Sequence, residues 1–305
     1  MLSRWRKFKQ SDFLYHFLRD PVAYVSFTIL LVLVFSAFAA PLIAPHNPYD
    51  PTTIDIMDAE NPPAWIETGT RTFLLGTDDM GRDMLSTMLY GMRISIIIGL
   101  CAVFLQAFLG IVIGLVSGYI KRLDNILMRI ADVQLSFSTY MIAIFIGAVF
   151  QTAFGVANYE KIAAPLLILI IGIAEWPQYA RTVRASVLAE RSKEYVEAAR
   201  VIGLPKLRIM WRHILPNTLS PVLVISTVQV ANAIMSEAAL SFLGLGMPLT
   251  KPSLGSLITA GFEYIFSGSW WITILPGILL VLLILVINLL GDWVRDYLNP
   301  KLYKG

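Results

Sequence analysis

The residues of this chain best able to do chemistry are few, and most lie in or beside long apolar runs. Glu175, Gln229, Asn232, Glu237 and Asn288 are polar groups within or near stretches otherwise free of charge. An ionisable group in hydrocarbon is costly, so such residues usually face a bundle interior or an aqueous path. Gln229, Asn232 and Glu237 are the candidates for lining a path. For Glu237 the competing reading is a buried structural hydrogen bond. Glu175, followed by Trp176-Pro177, reads equally as the marker of an inner membrane boundary. A second group, Gly76, Thr77, Asp78, Gly81, Arg82 and Asp83 with Asp79 among them, precedes an apolar run. It is either a contact surface for another protein or a local turn whose acids and arginine satisfy the backbone and each other. The turn is the preferred reading. A third group, Glu194, Glu197, Ala198, Ala199, Gly203 and Leu204, stands between two apolar runs, with Leu215-Pro216 opening the second.

Covalent chemistry finds little support. No G-x-x-x-x-G-K-[ST] phosphate loop occurs, so nucleotide binding by that route is excluded. His16, His46 and His213 all fall outside the apolar runs and form no pair at helical spacing, which argues against haem or zinc within a membrane. Gly114-Leu115-Val116-Ser117-Gly118 has the wrong order for a nucleophile elbow. With Gly110, its glycines four apart read as a close helix contact instead. Cys101 is the one cysteine, so no internal disulfide forms. Transport or assembly, rather than catalysis, is the expectation.

The elements that position these groups are membrane helices. Hydrophobic residues make up 56% of the 305, charged residues 15%, and mean hydropathy is +0.67. A soluble domain carries about 25% charge, so a soluble enzyme, a disordered chain and a disulfide scaffold are all excluded. A crossing helix needs roughly 20 apolar residues. Six runs qualify: Pro21–Pro45, Ile94–Ile120, Val133–Tyr159, Ile162–Ala180 interrupted by Glu175, Ile214 to about Gly244 interrupted by Glu237, and Tyr264–Gly291. The first resembles a signal peptide in its basic lead and its Ala37-Phe38-Ala39, but it is longer than the 7–15 residues such a core occupies. It is read as an uncleaved span.

Lysine and arginine set the orientation. With the N-terminus inside, 19 of the 24 fall on the inner side and five, Arg71, Arg82, Arg93, Lys161 and Lys251, on the outer side. Both termini are therefore expected inside. The expected organisation is a basic lead over 1–20, a first span over 21–44, an outer loop and short helix over 45–93, and a helical core over 94–291. That core contains an inside loop at 181–217, and a tail over 292–305 follows it. The lead carries Phe8, Phe13, Leu14, Phe17 and Leu18, which fits a helix on the membrane surface or a solvated tail. Pro45, Pro48, Pro51, Pro62 and Pro63 preclude regular structure in the outer loop. Within the inside loop, 183–202 reads as one helix, Gly203-Leu204-Pro205 as its stop, and 207–214 as a restart ahead of Pro216.

Four segments carry a family resemblance. Glu197-Ala198-Ala199, Gly203 and Leu215-Pro216 match the E-A-A…G…I-x-L-P signature of permease subunits of bacterial ABC importers, with His213 at the usual isoleucine position. Leu75-Gly76-Thr77-Asp78-Asp79-Met80-Gly81-Arg82-Asp83 with Tyr90-Gly91-Met92-Arg93-Ile94-Ser95, then Leu240 to Gly246, then Asn288-Leu289-Leu290-Gly291-Asp292 are similar to the dipeptide/oligopeptide/nickel branch. The likeness covers roughly residues 75–300 and is to the second, "C"-type permease. Asn299-Pro300 departs from the more usual Asp-Pro.

The resemblance implies an all-α, six-span subunit of the bacterial inner membrane that catalyses nothing itself. It implies a homologous second permease, two ATPase subunits carrying ATP and magnesium, and a periplasmic or lipid-anchored substrate-binding protein, with no nucleic acid and no cofactor on this chain. By the resemblance Glu194, Glu197, Ala198, Ala199, Gly203, Leu204, Leu215 and Pro216 couple to an ATPase. Without it, Glu197 reads as a solvated face residue and Gly203 as an ordinary helix stop. Asp78, Asp79, Arg82 and Asp83 would meet the substrate-delivering protein or the partner permease if they are not a turn. Peptide is the expected substrate; nickel, glutathione and oligosaccharide systems share the permease type. A secondary transporter or a membrane scaffold are the readings outside this family.

Overall fold

A computed structural model describes residues 12–298, apart from 51 and 53. Arg4, Arg6, Lys7, Phe8 and Lys9 of the lead, and Asn299, Pro300, Lys301 and Lys304 of the tail, lie outside the described residues. Among the described residues there is no strand, only one isolated bridge between Thr77 and Asp83. The helices are α1 (Asp12–Arg19), α2 (Pro21–Phe38), α3 (Met84–Tyr119), α4 (Lys121–Leu135), α5 (Thr139–Phe154), α6 (Val156–Glu190), α7 (Glu194–Val201), α8 (Leu215–Leu240), α9 (Leu254–Phe262) and α10 (Trp271–Tyr297). They fall into two compact units, Met1–Ile97 with Ser241–Gly305, and Ile98–Leu240.

Among the described residues, five helical segments are long and apolar enough to cross a membrane, and a bent pair makes a sixth if it is counted as one span. That pair is the third apolar run, and it differs from expectation. Instead of one helix over 133–159, α4 and α5 meet at 85°. The break is local: the Ser136 hydroxyl donates to the Asp132 carbonyl at 2.9 Å, closing α4, and Ser138 adopts an extended conformation before α5. At 15 and 16 residues, neither helix alone reaches the ~20 needed for a crossing.

Other boundaries also move. The second span starts at Met84 rather than at Ile94, because Asp83 Oδ2 accepts the Ser86 amide at 2.9 Å and starts the helix early. Arg93 is carried inside that helix, its guanidinium 5.8 Å from the Phe38 ring. The sixth begins at Trp271, not Tyr264, after a turn containing Gly268 at φ 107°, and continues past Asp292 to Tyr297. The fourth run becomes the 35-residue α6. At 1.5 Å per residue it measures about 52 Å, well beyond the ~30 Å hydrocarbon core.

In the unit of Met1–Ile97 and Ser241–Gly305, the lead is helical from Asp12, and Phe17 sets its ring 5.5 Å from Phe27 and 5.2 Å from Trp293. The Asp20 carboxylate then caps α2, accepting the Val22 amide at 2.9 Å. Met84, Met88, Leu257, Trp271 and Ile272 form this unit's buried cluster.

The Ile98–Leu240 unit is built on a close contact between the later half of α3 and α6. A Cβ on Gly110 would lie 2.2 Å from Tyr179 Cβ, one on Gly114 2.6 Å from the Ala180 carbonyl oxygen, and one on Gly118 2.7 Å from Val187 Cβ. The glycine ladder is the contact surface that its spacing indicated. Overpacking such a site costs typically 1–3 kcal/mol and occasionally more. Gly114→Leu is expected to lose about 3 kcal/mol and to leave little monodisperse protein in detergent size-exclusion chromatography. Gly277→Leu is the control, since a Cβ there meets nothing within 4 Å.

Candidate functional site

The inside loop is shorter and more sharply bent than its composition suggests. The expected 183–202 helix is two helices, because α6 ends at Glu190 and α7 begins at Glu194. Neither glycine nor proline makes that break. Lys193 pairs with Glu190 at 2.6 Å, Ser192 Oγ donates to the Ala189 carbonyl at 3.2 Å, and Arg191 donates to the distant Gly118 carbonyl at 3.0 Å. Gly203 ends α7 as expected, at φ 81°. The Leu204 amide reaches the Ala199 carbonyl at 3.1 Å and the Gly203 amide that of Arg200 at 3.0 Å. This paired closure uses the left-handed conformation glycine adopts without a steric penalty.

α7 has two faces. Val196 and Ala199 are buried against the chain, whereas Glu194, Glu197 and Ala198 are exposed. Ala199 therefore seats α7 on its own protein, while Glu194, Glu197 and Ala198 of the expected docking set face outward. From the last residue of α7 onward the exposed surface turns apolar: Val201 is 88%, Ile202 76% and Leu207 66% exposed. Sequence reasoning passed over these residues because they look like the end of a helix. Exposed apolar residues grouped in this way mark contact sites.

α7 is tied to its neighbours by one tyrosine. Tyr195 donates its hydroxyl to Glu190 Oε2 at 2.5 Å and accepts from Asn217 Nδ2 at 3.1 Å. Burial, then the Glu190 carboxylate, push the phenol above its usual range. A single side chain thus links the end of α6, the start of α7 and the foot of α8. Leu215 and Pro216 stand at that foot, with Leu215 half-buried and Pro216 exposed. The helix that restarts after Gly203 continues through Pro216 into the fifth span. It runs from Lys206 into α8 through a π-helical turn, Ile209–Ile214, in which the Leu215 amide bonds back to the Met210 carbonyl. Pro216 has no amide to donate, and the widened turn lies directly before it.

Within the same unit, polar side chains from four long apolar or bent helices meet. Gln106 of α3 and Gln229 of α8 are buried. Gln229 Nε2 donates to Glu175 Oε2 at 3.0 Å and lies 3.5 Å from Gln106 Oε1, while Asn232 Nδ2 donates to Gln229 Oε1 at 2.8 Å. Thr139 of α5 supplies Glu175 with a further side-chain hydrogen bond. One turn along, Tyr179 donates to Ser226 Oγ at 3.1 Å. Gln229 and Asn232, named from the sequence, are brought together here. Glu175 and Gln106 complete the group. Glu175 is half-buried, whereas Glu237 is fully buried.

The outer motif is a knot. Asp78 Oδ1 accepts the Arg82 amide at 2.8 Å and the Met80 amide at 3.0 Å, and its Oδ2 takes Arg82 Nε at 2.6 Å. Arg82 Nη1 reaches the Leu249 carbonyl at 2.6 Å. Thr77 accepts the Asn61 amide at 2.8 Å, and its carbonyl takes the Trp271 indole at 3.0 Å. Gly76 and Gly81 have φ 82° and 79°, and a Cβ on Gly81 would lie 2.1 Å from the Asp55 carbonyl oxygen. Thr77, Asp78, Arg82 and Asp83 are all buried. Their geometry is that of a turn whose acids and arginine satisfy the backbone and each other. Asp79 is half-buried, and burial next to Asp78 raises its carboxyl above the usual range.

Residues 107–304 match the family model described as the inner membrane component of binding-protein-dependent transport systems, and residues 4–63 match the N-terminal TM domain of oligopeptide transport permease C. The di/tripeptide transport system permease protein DppC of Pseudomonas aeruginosa is 37% identical over 274 residues, covering 90% of this chain and 86% of that protein. The dipeptide transport system permease proteins DppC of Haemophilus influenzae and Escherichia coli K12 are 36% and 37% identical over 292 residues. Each alignment covers 95% of this chain, with 94% and 93% of the relatives. A chain of the MetNI methionine ABC transporter, solved in inward-facing conformations, superposes with a TM-score of 0.52 at 21% identity. That match covers 71% of this chain and 98% of that one.

Proposed function

This chain belongs to the family of inner-membrane components of binding-protein-dependent transport systems, and from that premise we propose that it imports di- and oligopeptides as one of two paired permeases driven by ATPase subunits. It is a multi-pass permease subunit of an ABC importer. The peptide substrate follows the relatives named for dipeptides and di/tripeptides. The proposed complex adds a homologous permease, two ATPases that hold ATP and magnesium, and an external substrate-binding protein. The lysine and arginine distribution supports cytoplasmic termini.

The observation that carries the coupling role is α7. A short helix presents Glu194, Glu197 and Ala198 outward, ends in exposed Val201 with exposed Ile202 next to it, and is joined through Tyr195 to two long membrane helices. Such a helix moves α6 and α8 when something grips it. Closure of the ATPases on ATP would draw the two permeases' α7 helices together and open the outer side. Gln229, Asn232 and Glu175 are the proposed path-lining groups, because their polar atoms meet and Glu175 keeps an accessible face.

Glu197→Lys tests the coupling. Glu197 is exposed and lies in the first turn of α7, so its replacement leaves the fold alone. The reconstituted complex is expected to insert normally, to lose substrate-stimulated ATP hydrolysis and to stop importing. Stimulation at the parental level would count against docking through α7.

A further inference from the structure

Where α3 passes into α4, a cavity of about 600 Å³ is lined by Tyr119, Ile120, Lys121, Arg122, Arg200 and Lys206. Four of these six residues are cations, and none of the four forms an ion pair among the described residues. On α4 the acids are already committed: Asp124 is held by both Nε and Nη2 of Arg184, at 2.5 and 2.7 Å, and Asp132 by Arg181 at 2.5 Å. Arg200 is turned toward the cavity, its guanidinium 5.6 Å from the centroid of the Tyr119 ring. α4 starts here without a side-chain cap on its amides, which adds partial positive charge at the same place.

A second feature leads away from the cavity. Leu123, Ile126, Ile130 and Val133 of α4 are all exposed. At about 100° per residue they share an arc of roughly 80°, so α4 carries one bare apolar stripe starting beside the cations. The charge-free run Ile94–Ile120 also ends here, which puts the cavity at the expected edge of the membrane.

We propose that this cavity binds the phosphate headgroup of an anionic lipid whose acyl chains lie along the α4 stripe. Cations clustered beside apolar helix surface at the interface suit that ligand, because they neutralise the phosphate while the stripe takes the chains. A free phosphate would use the cations and leave the stripe bare. The proposal depends on the orientation given above only for which leaflet supplies the lipid.

The test reads lipid retention, not transport. The chain is purified in mild detergent with whichever subunits accompany it, in the presence of equal phosphatidylglycerol and phosphatidylcholine, and weighed by native mass spectrometry. The parent is expected to retain phosphatidylglycerol selectively. The double variant K121Q/R122Q, which leaves α7 untouched, is expected to reduce that retention about thirtyfold, from about fivefold per cation removed. Equal retention of the two lipids by the parent, or unchanged retention by the variant, overturns the proposal. Displacement of the lipid by excess inorganic phosphate assigns the site to free phosphate instead. Loss of a subunit with the lipid still bound assigns the cations to a protein partner.

Discussion

Asp78→Ala is expected to cost about 3–5 kcal/mol, the usual penalty for leaving one member of a buried ion pair alone. The Asp78 carboxylate holds two backbone amides and Arg82 Nε at once, and the side chains of the pair are 1% and 3% exposed. Without it the Arg82 guanidinium keeps one carbonyl, that of Leu249, and its buried Nη2 already has no partner. Against a total stability of about 5–15 kcal/mol, the loss is large. The measurement is the temperature at which the purified complex loses its monodisperse peak. Asp78→Asn should fall between parent and alanine, and Asp78→Ala with Arg82→Met should recover part of the deficit, since an apolar replacement of both partners removes the stranded charge. A single alanine variant as stable as the parent would mean that the outer turn is held by something other than this pair.

The long spans were legible because hydrocarbon leaves the backbone few options: each crossing must be a run of apolar residues closing its own hydrogen bonds. The Gly110-Gly114-Gly118 ladder was legible for a related reason, since small residues at one helical spacing imply one thing, a close neighbour. The Gly203 stop was also readable, because a left-handed terminus favours one residue type. What escaped was set by remote partners. The break after Glu190 depends on Arg191 finding the Gly118 carbonyl, far away in the chain. The choice between Glu175 and Glu237 turned on inter-helix register. Both interrupt apolar runs, yet Glu175 meets Gln229 and Thr139 from two other helices while Glu237 is wholly buried. The inward face of Ala199 escaped likewise, because adjacent alanines in a motif look alike until the helix is rotated onto its support.

Replacing Val201 and Ile202 by aspartate is expected to release the ATPase subunits while leaving the permease folded. Both side chains stand almost entirely in solvent in the isolated chain, so neither contributes to its packing. Fully burying such a side chain stabilises a contact by about 1.5–3 kcal/mol, and a carboxylate put in its place must be desolvated without a partner. The lost burial alone weakens docking by about 3–6 kcal/mol, or roughly 10²–10⁴ in Kd. Val201→Ala with Ile202→Ala should give an intermediate loss, because it removes area without adding charge. Glu197→Lys acts on the same helix by a different route, through charge on the exposed face. The two sets therefore separate grip from transmission: the aspartates should abolish co-purification of the ATPases, and the lysine should preserve co-purification while silencing the response to substrate. Aspartate variants that still bring down ATPases in parental amounts would place the docking surface elsewhere on the inside loop. The exposed apolar residues Leu207 and Trp211, which follow Gly203, would be the next to replace.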